Sequence, residues 1–136
     1  MNHIFASDFL LIIQDTLQKT GSARFRVVSN SMLPVIKNGD WIEVTMMSEN
    51  SPLKIGDIIL YRRPTDLLLH RVVKMNNDLI WTKGDRNRMI DIPIKRSEIL
   101  AKLTRIQKSN TWFDMDNPLI DVIHRSVGKI LYLLIR

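Results

Sequence analysis

Apolar positions in the chain change period twice. Between Ser7 and about Thr20, Phe9, Leu10, Ile12, Ile13 and Leu17 recur at roughly helical spacing, with Ser7 available as an N-cap and Gly21 as a stop. A short amphipathic helix is predicted there. From Arg24 onward the pattern shortens to runs rich in Val, Ile, Leu, Thr, Tyr and Trp, predicting strands over 24–28, 41–46, 57–62, 68–75, 79–83 and 99–107. Turn signals at Asn38-Gly39-Asp40, Ile55-Gly56-Asp57, Asn76-Asn77-Asp78 and Gly84-Asp85 separate several of these runs. The helical period returns after Asn117-Pro118, where Asn117 suits an N-cap and Pro118 the first helical position. Leu119, Ile120, Ile123, Val127, Ile130, Leu131 and Leu134 then fall on one face, with His124, Arg125 and Lys129 opposite and Arg136 at the end. That apolar face is expected to cover the β core, with the charges in solvent.

Six short strands with no long helix between them predict a mainly β fold, an antiparallel and partly closed β domain flanked by N- and C-terminal helices. A length of 136 residues suits one domain, divided as an N-terminal helix over 1–22, a β core over 23–108 and a C-terminal helix over 117–136. The longest apolar run near the start, Phe9 to Ile13, is too short to span a bilayer, which needs about 20 apolar residues. No secretory signal pattern precedes it, so a cytoplasmic location is expected, with peripheral membrane contact through the C-terminal helix as the alternative to its packing on the core.

Composition narrows the chemistry. The chain has no cysteine, which excludes disulfides, thiolate metal sites and a cysteine nucleophile. Its three histidines, His3, His70 and His124, leave little for an all-histidine metal cage, and no cofactor is expected. A net charge of +6 suits an anionic partner, but the Arg and Lys residues are scattered, without the recognition-helix or paired stacking patterns of a nucleic-acid binder. No nucleic-acid partner is expected.

A serine becomes a nucleophile when a base takes its proton and donors stabilise the oxyanion. Ser29-Asn30-Ser31-Met32-Leu33-Pro34 follows a strand and ends in proline, so the chain must leave the sheet sharply, exposing a hydroxyl beside backbone N–H groups. The same composition also describes an ordinary turn. His70, in the apolar stretch Leu67 to Val73, can accept a proton near neutral pH, or serve as a core histidine with one hydrogen bond. Asp85 and Asp91 in Lys83-Gly84-Asp85-Arg86-Asn87-Arg88-Met89-Ile90-Asp91 are both able to orient an imidazole, and Lys83 is a competing base if burial neutralises it.

Taken in order, these pieces resemble the type I signal peptidase family of serine endopeptidases. The matching blocks are Ser29-Asn30-Ser31-Met32-Leu33-Pro34, Gly39-Asp40-Trp41, Gly56-Asp57-Ile58-Ile59-Leu60-Tyr61, His70-Arg71-Val72-Val73 and Lys83-Gly84-Asp85-Arg86-Asn87, spanning about residues 26 to 107. Histidine at position 70 is similar to the archaeal and endoplasmic-reticulum type; bacterial housekeeping members carry lysine there. The resemblance implies that Ser31 attacks, His70 takes and returns the proton and Asp91 completes the triad. By the same resemblance Asp85 supports the turn or the site, and Ser29 joins the Ser31 N–H in the oxyanion hole. It also implies the family's antiparallel β core. Asn30 stands where the family usually has glycine, and the hydrophobic anchor usual in the family is not found. The expectation is therefore an endopeptidase that trims a leader from a particular peptide or protein precursor; the alternative is an inactive peptide-binding module of the same fold. Self-cleaving repressors of the SOS response share the serine block but use lysine as base and carry a DNA-binding domain, for which residues 1 to 22 leave no room.

Overall fold

The computed structural model describes residues 6–64 and 66–135, so His3 and Arg136 lie outside the described residues. Helix α1 spans Ala6–Thr20 and leads into β1 (Ser22–Arg26), β2 (Trp41–Met46), β3 (Ile58–Arg62), β4 (Leu67–Asn76) and β5 (Leu79–Lys83). Then come β6 (Ile94–Lys95), a single 3-10 turn at Arg96–Glu98, β7 (Ile99–Lys108), β8 (Thr111–Asp114) and helix α2 (Pro118–Ile135). The strands form one antiparallel sheet in the order β1-β2-β7-β3-β4-β5-β6, with β8 extending from β7, curled into a half-barrel. The mainly β antiparallel fold with flanking helices is the one expected from the sequence.

Differences are local. The first helix begins at Ala6, so Ser7 lies within its first turn instead of capping it. Its stop is as expected: Gly21, at φ +81°, donates its N–H to Leu17 O at 2.8 Å, a left-handed C-terminal cap that glycine adopts without steric cost. The first strand is shifted to Ser22–Arg26, because Val27 already exchanges hydrogen bonds with the Gly39-Asp40 turn. The two-residue β6 and four-residue β8 are additional to the six expected strands.

Curling gives the sheet two apolar faces, seen most plainly on β3. Ile58 and Leu60 join the larger cluster, with Ile13 and Leu17 of α1, Ala23, Met32, Ile36, Ile42, Val44, Ala101 and Leu103. Ile59 and Tyr61 point into a smaller cluster with Val72, Ile80, Ile94 and Ile99. Each fully buried aliphatic side chain contributes about 1.5–3 kcal/mol, so both clusters hold the strands that carry the polar residues between them.

Helix α2 overturns the expected packing. Asn117 caps it, its Oδ1 accepting from the N–H groups of Leu119 and Ile120 at 3.0 and 3.3 Å. Its buried residues are His124 and Gly128, while Leu119, Val122, Ile123, Ile130, Leu133 and Leu134 are exposed. Ile120 packs against the larger cluster and Lys129 stays exposed, but His124 and Arg125 turn inward because the surface they meet is charged. His124 Nδ1 lies 3.0 Å from Arg71 Nη1, and Arg125 Nη2 donates to the buried Asp57 at 2.6 Å. Buried charges must be paired, and that requirement outweighs hiding the apolar ridge.

Candidate active site

The bend after β1 is tied by hydrogen bonds to the turn before β2. Val27 N–H donates to Asp40 O at 2.9 Å and Gly39 N–H returns to Val27 O at 2.7 Å. Asn30 Oδ1 accepts from Asn38 N–H at 3.0 Å, so the residue standing where the family usually has glycine ties the bend to the next turn. Met32 is 2 % exposed and anchors the bend in the larger core cluster. Ser31 is thereby fixed between a buried neighbour on one side and exposed Val28, Ser29 and Asn30 on the other.

His70 is buried in β4, facing Ile59 across the ladder. Its Nε2 is 3.2 Å from Ser31 Oγ and its Nδ1 is 2.6 Å from Asp91 Oδ2. Both ring nitrogens are thus engaged, one by a hydroxyl and the other by a carboxylate. With Nδ1 protonated toward Asp91, Nε2 is left as the acceptor for the serine proton.

Asp91 lies outside the strands but is pinned to them. Its N–H donates to Thr82 O at 2.8 Å, and its Oδ2 accepts from Thr82 Oγ1 at 2.8 Å and from the Tyr61 hydroxyl at 3.2 Å. Tyr61 and Thr82 are themselves 2.7 Å apart. Burial pushes the Asp91 carboxyl up, but the hydrogen bond and charge of His70, with Thr82 and Tyr61, outweigh it and hold the group below its ordinary value. Burial, with the Asp91 charge adding to it, pushes the Tyr61 hydroxyl up to about 12, so it remains a proton donor. Nothing in the sequence pointed to Tyr61 and Thr82. The available signal was their strand alternation, which places both inside the sheet but does not say what they face.

The other candidates separate from the triad geometry. Asp85 does not bond to His70; it makes a two-point pair with Arg71, Nε to Oδ1 at 2.9 Å and Nη2 to Oδ2 at 2.7 Å. A buried guanidinium claims both its oxygens, so of the two carboxylates able to orient the imidazole Asp85 is the one turned to Arg71 and the turn. Lys83 is 2 % exposed and donates to Gly84 O at 3.2 Å. Burial lowers its pKa, with Asp85 and Asp91 opposing, and no hydrogen bond joins it to Ser31. Ser29 Oγ accepts from Ser31 N–H at 3.1 Å, so the two groups named for an oxyanion hole are adjacent and engaged with one another. His124 lies on the far side of β4, against Arg71.

Ser31 and Asp91 are half-buried and His70 is buried. Val28, Met89, Ile90 and Ile92 flank the triad in sequence and are exposed, Val28 by 86 %. A cavity of about 550 Å³ lies elsewhere, among Asp57, Lys102, Thr104, Asp121, His124 and Arg125. It contains none of Ser31, His70 and Asp91. No group of three or more potential metal ligands occurs among the described residues.

Comparison with known proteins supplies the lineage. Residues 2–104 match the family described as Peptidase S24-like. The chain belongs to that family. It is also similar to type I signal peptidases: over 75 residues it is 35% identical to a protein of Zygosaccharomyces rouxii named signal peptidase complex catalytic subunit SEC11. That match covers 50% of this chain and 44% of the yeast protein, so the S24-like chain spans less than half the length of this relative. No helix among the described residues is long and apolar enough to cross a membrane.

Proposed function

We propose that this S24-like chain is a serine endopeptidase, acting as a single catalytic domain, that removes a leader or signal-like segment from a peptide or protein precursor. The observation that carries the reading is the continuous path from Ser31 Oγ through His70 to Asp91, at 3.2 and 2.6 Å. Ser31 Oγ attacks the scissile carbonyl while His70 Nε2 takes its proton. Asp91 holds the Nδ1–H and stabilises the imidazolium that forms. The tetrahedral oxyanion is met by the Ser31 N–H, released from Ser29 Oγ, and by the Ser29 hydroxyl turned toward it. His70 then returns the proton to the leaving amine, and water, deprotonated by the same imidazole, hydrolyses the acyl group on Ser31. An extended substrate laid beside β1, an edge strand of the sheet, suits main-chain pairing, and exposed Val28, Met89 and Ile92 suit apolar side chains near the cut.

The outward apolar ridge of α2 and the net charge of +6 support peripheral contact with an anionic lipid surface, where such a precursor is presented. Sedimentation with anionic and neutral vesicles tests this: retention on the anionic vesicles that is lost in Ile130→Asp is expected, and no retention on either overturns it. For the peptidase reading, the purified chain and its Ser31→Ala variant are incubated with candidate precursor peptides and analysed by mass spectrometry. Cleavage by the parent chain alone is expected. Equal cleavage by both removes Ser31 from the mechanism, and binding without turnover favours the inactive peptide-binding module.

A further inference from the structure

Arg71 follows His70 on β4, and its side chain enters the opposite side of the sheet, where it is 3 % exposed. Four hydrogen bonds hold its guanidinium: two to Asp85, one from Nη1 to Gly56 O at 3.0 Å, and one between Nη1 and His124 Nδ1 at 3.0 Å. Gly128, one turn beyond His124 on α2, lies flat against the same group, and a Cβ there would be 2.2 Å from Arg71 Nε. The helix therefore brings an acceptor and a gap to a buried charge.

Asp85, at the other end of the pair, belongs to the turn that grips the nucleophile. Its N–H donates to Met32 Sδ at 3.3 Å, and the next N–H, of Arg86, donates to Ser31 O at 2.8 Å. A Cβ on Gly84 would lie 3.0 Å from the same Ser31 carbonyl. His124, Arg71, Asp85 and the Ser31 backbone thus form an unbroken chain of contacts, and the three side chains in it are buried. A helix that served only as a cover would bury mostly leucine and isoleucine; α2 leaves Leu119, Ile123, Ile130, Leu133 and Leu134 exposed, packs Ile120 against the core and buries an imidazole against a guanidinium. Burial, followed by the charges of Arg71 and Arg125, pushes His124 down to about 4, so near neutral pH its Nδ1 is free to accept.

We propose that His124, seated by Gly128, is a positioning residue for the nucleophile: it fixes Arg71, which fixes the Asp85 turn that holds Ser31 in reach of His70. Its catalytic consequence rests on the peptidase reading; its structural consequence does not. A small displacement of a reacting group is expensive, since misplacement by about 1 Å can cost on the order of 100-fold in rate.

The test compares the full chain with His124→Leu, which removes the acceptor, His124→Asn, which restores one, and Gly128→Ala, which pushes on Arg71 while keeping His124. Amide exchange at Arg86, whose N–H reports directly on Ser31 O, is read beside exchange at Val44 and Leu103 in the β2–β7 pair as a measure of global stability. In His124→Leu and Gly128→Ala we expect Arg86 to exchange about tenfold faster while the β2–β7 amides are unchanged. Wherever the parent cleaves a peptide, we expect kcat to fall about 10- to 100-fold with KM little altered. His124→Asn should recover most of both. Unchanged Arg86 exchange in the folded variants overturns the proposal, as does faster exchange that merely parallels the β2–β7 amides. If the parent chain shows no turnover, the peptidase reading fails by itself and the exchange comparison still decides the positioning role. If His124→Leu does not fold, Gly128→Ala decides it.

Discussion

Consecutive residues of β4 enter two polar networks that differ in one respect. On one side His70 joins Ser31, Asp91, Thr82 and Tyr61; on the other Arg71 joins Asp85, Gly56 and His124. His70, Thr82 and Tyr61 on one side and Arg71, Asp85 and His124 on the other are buried, and both networks are extensively hydrogen-bonded, as burial requires. The Arg71 network is closed, built on a cation that does not give up its proton in proteins, and it ends against a helix. The His70 network ends at a hydroxyl on an exposed bend, through a ring whose two nitrogens face a carboxylate and that hydroxyl. One strand thus supplies fixity on one face and reactivity on the other, and the network with an outlet to the surface is the one that can do chemistry.

Five perturbations break or sharpen that contrast. The largest effect is expected on the His70 side, and on rate alone: Ser31→Ala should lower turnover by roughly four to six orders of magnitude, and Asp91→Asn by about four, in peptide cleavage assays. Thermal unfolding of Ser31→Ala should stay close to that of the parent, because its side chain is half-exposed. On the Arg71 side the expected effect is on stability: Arg71→Leu leaves Asp85 buried and unpaired, at a cost of about 3–5 kcal/mol in denaturant titrations. A loss of under 1 kcal/mol would show that the closed network is not holding the fold.

Acid provides the third comparison. His124 has its folded pKa lowered from 6.5 to about 4, so between those values the unfolded chain binds the proton that the folded chain refuses. Stability therefore falls as pH drops through that window, by about 3 kcal/mol in total, and the window is missing in His124→Asn. Arg71 and Asp57 from the sheet side, with Asp121 and Arg125 on α2, are the charges that set it. Asp91, whose folded pKa is also lowered, contributes stability that is complete above its unfolded value of 3.8 and is lost as pH falls through the lower folded value. The two regions thus separate by pH, Asp91 failing only below the range in which His124 titrates. The smallest effect is at Tyr61→Phe, which removes one of three donors to Asp91 Oδ2 and should cost about 1 kcal/mol, or up to about tenfold in kcat.

What could be read from the chain follows the same divide. The serine bend, the strand bearing His70 and the Gly84 turn are local features with composition and spacing of their own. Trp41–Met46 and Leu79–Lys83 show enough of a β pattern to be bounded to the residue. The two-residue β6 and four-residue β8 are too short to carry a period. Which carboxylate serves His70 was undecided because both aspartates follow the same glycine; only the register of β4 against β5, and the Asp91 N–H on Thr82 O, brings the farther one to the ring. The orientation of α2 differs from the expectation for a physical reason: periodicity assigns the apolar side to the core, but the surface under the helix carries buried Arg71 and Asp57, which take His124 and Arg125 as partners.

The most direct test of the central claim is the reaction of the chain with a peptidyl diphenyl phosphonate, which reacts with activated serines, followed by mass spectrometry of the intact and digested protein. A single adduct on Ser31, formed at least about a hundredfold more slowly in His70→Ala, is the expected result. An adduct on another residue, or equal labelling in His70→Ala, would contradict a nucleophile activated by that imidazole.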